Sequence, residues 1–360
     1  MTDTQQAPAT AAPPRKTGGG PRVLHLLRGP NTSLVGALLV LIIIMTILRP
    51  QTFPTWDNAL NIAVAAVLVG LCALAQTLVI LTGGIDISVG STVGLSSVVC
   101  ALVASSSPGA GAGIASVIVA VAVGGACGLF NALIITFGRV SPLIATLGTY
   151  TAYQGFNYIV TGGHSTGVLN RTLNNINSIQ VAGVPLPVII LVVAAVVYGI
   201  FMKYTVFGRN IYAVGGNPTA ARLGGISVRR YLLGIYTMVG VVGGLAGAIL
   251  TAKQGAGIPE SGASDLALQS ITAVALGGAA LTGGVGTILG TVMGVLILGV
   301  LQNGLLLLNV NALYQPVPSG FLLILAVLIQ QWRGQIDLRS MLRRPPAQGA
   351  GAPPIEASVR

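Results

Sequence analysis

The sequence predicts an all-α integral membrane protein of about ten transmembrane helices in two related halves. Three observations predict it. Apolar residues make up 53% of the 360 positions and charged residues only 7%, against roughly 25% charged in an ordinary soluble domain. The apolar positions gather into ten runs, and a hydrocarbon crossing needs about 20 such residues. One glycine-containing motif also recurs far along the chain. A soluble surface would need much more charge than this, so the lipid bilayer is the first partner expected.

The elements follow in order. Residues 1–32, rich in Ala, Pro, Thr and Gly at their start, read as a disordered tail. The first run, 33–49, lies too deep and lacks a small-residue cleavage site for a removed signal peptide. Runs at 59–82, 86–106, 111–137 and 142–160 follow, divided by short polar breaks. Those at 184–202, 232–252 and 285–309 are clearly bounded, and 266–281 and 318–332 are less so. Residues 336–360 form a second tail. A transmembrane domain thus covers 33–335, interrupted by a polar loop at 203–231.

Basic residues orient these runs. With the N-terminus inside, fifteen of the eighteen Lys and Arg residues fall on the inner side, and only Arg49, Arg171 and Lys253 fall outside. Both termini are therefore expected in the cytoplasm. The net charge of +11 is explained by that asymmetry. No basic stripe interleaved with aromatics suggests nucleic acid. Cys72, Cys100 and Cys127 each sit alone in apolar runs and read as small core residues. His25 and His164 are isolated, so no metal site is expected.

Comparing the chain with itself gives the two halves. LTGGIDISVGSTVG (81–94) and LTGGVGTILGTVMG (281–294) share Leu, Thr and four glycines at an offset of 200 residues. Two related halves explain this, and so does chance similarity among the 50 glycines. In each copy a glycine pair interrupts an apolar run. Glycines four apart follow, Gly90 and Gly94 or Gly290 and Gly294, and would let another helix approach closely. Asp86 lies two residues beyond the first glycine pair, where a mid-bilayer charge costs about 2.5–3.5 kcal/mol. Three roles are open to it: capping a helix that begins near Ile87, pairing across helices, or facing a substrate path.

In the loop, Asn217-Pro218, then TAARL, then Gly224-Gly225 has the chemistry of a short capped helix. Such a helix is too short to stand alone. It either docks against a partner or merely connects. No GxxxxGK[ST] loop, HExxH, GxSxG or close carboxylate pair occurs, so neither nucleotide chemistry nor catalysis is expected of this chain.

These residues resemble the permease subunits of bacterial ABC importers for monosaccharides, the ribose, xylose, arabinose and galactose group. The resemblance is carried by LTGGIDISVGS (81–91), SPLIATLGTY (141–150), FGRNIYAVGGNPTAARLGGISV (207–228) and ITAVALGGAALTGGVGTILGT (271–291). Ile87 stands where Leu is usual and Gly225 where Ser is frequent, and neither change alters charge. The resemblance implies a type II ABC importer-like, multi-pass subunit of the bacterial cytoplasmic membrane that forms a homodimer. It implies two partners, an ABC ATPase inside that holds ATP and Mg, and an extracytoplasmic sugar-binding protein. No cofactor is implied on this chain. It makes Asn217, Pro218, Ala220, Ala221, Arg222 and Gly224 ATPase-coupling contacts. It marks Gly83, Gly84, Asp86, Ser88 and Gly90 as the family's signature segment, without assigning them to sugar binding.

An uncharged sugar or polyol path would offer amides and hydroxyls. Candidates are Gln76, Asn131, Tyr150, Tyr153, Gln154, Asn157, Gln302 and Asn303, each of which equally suits bonding between helices. Two alternatives remain. One is a secondary transporter driven by an ion gradient through Asp86, and the other is a membrane scaffold with no transport.

Overall fold

A computed structural model of the chain describes residues 32–328 except 263, 315 and 326. The tails expected at 1–32 and 336–360 lie outside these residues, apart from Thr32, as does the end of the run at 318–332. Each of the ten apolar runs contains a helix among the described residues. The helices are α1 (Thr32–Leu48), α2 (Trp56–Leu81), α3 (Val89–Ser105), α4 (Ala110–Thr136) and α5 (Pro142–Thr161). After the short α6 (Arg171–Ser178) comes α7 (Leu186–Tyr204). The loop helices α8 (Val206–Gly216) and α9 (Pro218–Leu223) precede α10 (Val228–Gln254), α11 (Ser264–Leu276) and α12 (Ile288–Leu307). A last apolar helix, α13, covers Pro316–Leu325. Five of them, α2, α4, α7, α10 and α12, are long and apolar enough to cross a membrane by length and composition.

Helix α2 is the central staff. Thr55 caps its start by accepting the Asn58 N–H at 3.3 Å, and nearly every residue from Ala66 to Leu81 is buried. It ends where Gly83 adopts φ +78° and the N–H groups of Thr82, Gly83 and Gly84 fold back onto the carbonyls of Val79 and Ile80. Helices α4 and α10 meet backbone to backbone. A Cβ on Gly128 would stand 2.2 Å from the Tyr236 carbonyl oxygen, and one on Gly124 would stand 2.3 Å from that of Gly240.

Helix α3 runs alongside α10 in the same direction. Thr92 and Val93 lie against Gly243, Val93 and Ser96 against Gly247, and Ser97 shares a 2.8 Å hydroxyl hydrogen bond with Thr251. This register starts α3 near the middle of α10, so the non-helical stretch carrying Asp86 lies deep in the bundle.

The two copies of the repeated motif face each other. The Gly284 N–H donates to the Leu81 carbonyl at 2.9 Å, and the Thr77 and Thr291 hydroxyls are 2.7 Å apart. Gly290 and Gly294 receive a helix as expected: their added Cβ atoms would stand 2.2 Å from the Gly277 carbonyl oxygen and 2.0 Å from that of Ala273, at the end of α11. At Gly94 a helix also arrives, with Asn157 Nδ2 of α5 2.9 Å from where a Cβ would be, and a turn packs beside it. That turn, at 258–262, places Ser261 against Gly94 and Gly262 against Gly90.

Helix α11 starts at Ser264 and covers the run expected at 266–281 only as far as Leu276. Its 13 residues span about 20 Å. Positive φ at Gly255 and Gly262, with Pro259 between, keeps the preceding stretch non-helical. Two short antiparallel pairings close one end of the bundle, Thr166–Gly167 (β1) with Ala256–Gly257 (β4), and Gln180–Val181 (β2) with Val184–Pro185 (β3). The three cysteines are free and buried, as small core residues.

Candidate functional site

The loop between α7 and α10 folds into a rigid platform. Thr205 caps α8 by accepting the Gly208 N–H at 3.0 Å. Phe207 stacks between Phe201 and Tyr231, with ring centroids 5.2 and 4.7 Å apart, which ties α8 to the neighbouring long helices. Helix α9 then follows, closed at both ends. The Asn217 side-chain oxygen accepts the N–H groups of Thr219 and Ala220, each at 3.0 Å, and Pro218 occupies the first helical position. At the other end Ile226 N–H returns to the Ala221 carbonyl at 2.9 Å and Gly225 N–H to that of Arg222 at 3.0 Å.

The residue that takes the left-handed conformation in this closure is Gly225, at φ +82°, whereas Gly224 has φ −77°. Of the Gly224-Gly225 pair expected to close the helix, the second residue makes the reversal. Ala221 faces the bundle side of the helix. It is buried on Val214, Val228 and Ile226, and anchors the helix from beneath. Asn217, Pro218, Ala220, Arg222 and Gly224 stay exposed. Leu223, overlooked in the sequence, is 86% exposed. The usable signal was its place at the last helical position, beside Arg222.

The platform bears directly on the meeting point of the two repeated turns. A Cβ on Gly215, at the end of α8, would lie 1.7 Å from the Leu81 carbonyl oxygen and 2.7 Å from the Gly284 nitrogen. One residue further on, a Cβ on Gly216 would meet nothing within 4 Å. The Tyr212 hydroxyl donates to the Gly286 carbonyl at 2.9 Å, and burial raises its pKa. Gly215 and Tyr212 thus place the end of α8, next to α9, in direct contact with both turns.

The signature segment builds a buried polar chain. Asp86 Oδ1 accepts the Ser88 N–H at 2.8 Å and the Ser88 hydroxyl at 2.6 Å. Asn131 Nδ2 donates to the Ser88 hydroxyl at 2.7 Å, and the Tyr153 hydroxyl donates to the Cys127 carbonyl at 2.9 Å and to Asn131 Oδ1 at 3.3 Å. Thr146 steadies the same stretch, accepting the Ile87 N–H and donating to the Ile85 carbonyl, both at 3.2 Å. Asp86 thus holds Ser88, the residue at the head of α3, and through the Ser88 hydroxyl is linked to Asn131 of α4, so the start of the helix and a contact between helices share one carboxylate oxygen. The helix starts at Val89 rather than near Ile87, and the carboxylate satisfies the N–H just before it. Gly83 supplies the turn, and Gly84 leaves room for the Tyr236 hydroxyl, 2.6 Å from where its Cβ would be.

The path candidates separate into groups. Asn131 and Tyr153 belong to the Asp86 chain. Asn303 donates to the Asn58 side chain at 2.9 Å, which in turn donates to the Phe53 carbonyl, so it joins α12 to α2. Gln154 Nε2 donates to the Pro259 carbonyl at 3.1 Å, and Asn157 lies against Gly94. Gln76 is buried in α2 with both amide atoms unpartnered. Tyr150 and Gln302 are partly exposed. These residues do not converge on one cavity.

A family model for the permease component of branched-chain amino acid transport systems matches residues 58–327. The ribose import permease protein RbsC of Bacillus subtilis is 41% identical over 298 residues, covering 82% of this chain and 90% of that one. The L-arabinose ABC transporter permease protein AraH of Azospirillum brasilense is 34% identical over 330 residues, covering 92% and 95%. The D-allose transport system permease protein AlsC of Escherichia coli K12 is 34% identical over 299 residues, covering 82% and 91%. No solved structure matches. With the matched region running from the third residue of α2 to the last described helix, the chain belongs to this family of transport-system permease components.

Proposed function

We propose that the chain is the membrane-spanning subunit of an ABC importer that carries a monosaccharide or similar small polyol across the bacterial cytoplasmic membrane. It crosses the membrane ten times with both ends inside and works as a pair of identical copies. An ABC ATPase, which binds ATP and Mg, docks on α9, and a sugar-binding protein delivers the solute from outside. The observation that carries this reading is the seating of a doubly capped helix, through Gly215, on both glycine turns. A mere connector has no need of caps, an inward anchor and a rigid contact with the bundle.

Relatives named for ribose, L-arabinose and D-allose support a sugar rather than an amino acid. The interior supports the same choice. An amino-acid zwitterion in a dry path needs both of its charges compensated, by side chains, helix ends or bound ions. Among the described residues Asp86 is the one buried charge, and Oδ1 of its carboxylate holds Ser88. The same commitment leaves the ion-gradient alternative without a coupling group. The test is uptake of labelled D-ribose, L-arabinose and D-allose into vesicles containing this chain with its ATPase and binding protein. ATP-dependent uptake of at least one sugar supports the reading. Uptake of leucine but none of the sugars refutes it.

A further inference from the structure

We propose that the groove between α1, α2 and α12 is a phospholipid site, which takes one acyl chain and sets the lipid phosphate at Arg49. The proposal depends on the chain lying in a bilayer and not on the solute it carries.

Three observations carry it. First, a cavity of about 500 Å³ lies there. Leu38 and Ile42 of α1 line it, with Ala59 and Ile62 of α2 and Leu296 and Val300 of α12. The turn joining α1 to α2 adds Phe53 and Trp56 at one end. Second, its depth is that of one leaflet. Leu38, Ile42, Met45 and Arg49 follow one another at helical spacing, and the Arg49 N–H still donates to the Met45 carbonyl at 2.9 Å. From Arg49 to Leu38 is eleven residues, about 16 Å along the axis, and half of the hydrocarbon core is about 15 Å. Third, the end at the turn has the chemistry of the headgroup region. Trp56 is 67% exposed, as an interfacial aromatic is. Arg49 Nε is buried with no partner among the described residues. Such a donor is costly to leave unpaired, and a phosphate oxygen satisfies it.

The chemistry selects the occupant. Thr55 also lines the groove, but its hydroxyl already accepts the Asn58 N–H at 3.3 Å and donates to the Thr52 carbonyl at 3.0 Å. A polar solute therefore finds little to bond, whereas an acyl chain packs against apolar walls. A helix is a poor fit. The close helix contacts of this bundle run through glycines such as Gly124, Gly128, Gly290 and Gly294, which let backbones meet. The groove presents branched and aromatic side chains instead, and a flexible chain threads between them. Arg49 favours an anionic headgroup. Asp57 falls on the opposite face of α2 from Ala59 and Ile62, two and five positions further on.

The test uses the full chain, purified in detergent, stripped of lipid and mixed with phosphatidylglycerol. Lipid retained per chain is measured by mass spectrometry, alongside Tm and oligomeric state. Wild type should retain one phosphatidylglycerol per chain, and diacylglycerol, which lacks the phosphate, at least about fivefold less. Ala59→Phe fills the groove from an exposed position and should cut phosphatidylglycerol retention at least about tenfold. Arg49→Gln should cut it about fivefold. Both variants should keep the wild-type Tm and oligomeric state. Undiminished retention in Ala59→Phe overturns the groove as the site. Equal retention of diacylglycerol, or undiminished retention in Arg49→Gln, overturns the phosphate contact and the proposal with it. So does a wild-type chain that retains no lipid. Loss of assembly by Ala59→Phe at an unchanged Tm would make the groove an interface between copies, and overturns it too. Should Ala59→Phe lower Tm, Arg49→Gln and the diacylglycerol comparison decide alone.

Discussion

Replacing Gly215 by alanine adds one carbon where the end of α8 touches both glycine turns. That carbon would lie 1.7 Å from the Leu81 carbonyl oxygen, against an ordinary C···O separation of about 3.3 Å. Relief requires the two backbones to part by about 1.6 Å, and neither is a flexible side chain that can rotate away. The same oxygen accepts the Gly284 N–H at 2.9 Å, so the movement strains the bond joining the two turns. Overpacking costs about 1–3 kcal/mol and a lost buried hydrogen bond about 1 kcal/mol, giving about 2–4 kcal/mol. Gly216→Ala is the control, since its added carbon meets nothing within 4 Å. Tm of the detergent-purified protein and ATP-driven sugar uptake in vesicles are the assays. Gly215→Ala should lower both while Gly216→Ala leaves both near wild type. Wild-type Tm and uptake for Gly215→Ala would show that α8 does not transmit through this contact.

Asp86→Asn should keep Tm close to wild type because its side-chain oxygen still accepts the Ser88 N–H, whereas Asp86→Leu strands two buried donors and should cost about 1–3 kcal/mol for each; equal thermal stability of the two would disprove the capping role. On α9, Arg222→Glu and Leu223→Asp alter exposed side chains and should change the permease's own stability by no more than about 0.5 kcal/mol. Both should nevertheless reduce ATPase co-purification with a tagged permease, and full co-purification of both would remove α9 from the docking surface. Cysteines placed at Thr219 should react with an impermeant maleimide only from inside, and those at Asn311 from outside. Labelling of the Thr219 variant from outside would reverse the orientation read from the basic residues.

Local chemistry decided a good deal from sequence alone. Each of the ten apolar runs contains a helix among the described residues, because an unbroken stretch of apolar residues must satisfy its own backbone. The Asn-Pro start and glycine end of α9 were legible since a cap forms between residues two to five apart. Asp86 at the head of α3 was legible for the same reason, while its link through Ser88 to Asn131 came only from the fold.

Tertiary structure decided which faces meet. Helices α2 and α7 are similarly apolar, yet α2 is almost wholly buried while Val192, Val193, Val196, Val197 and Ile200 of α7 point outward. In a bilayer the outward face is apolar too, so hydrophobic periodicity loses its power to tell inside from outside. The left-handed residue at Gly225 rather than Gly224, the inward anchor at Ala221 and the shortened α11 all depend on what packs beside them. Contact among Gly215, Leu81 and Gly284 joins three segments separated by up to 203 positions in the numbering. The sequence determined the helices and their caps because those interactions are local. Only the fold brought the two glycine turns onto the end of α8, because backbone-to-backbone contact leaves no side-chain pattern to read.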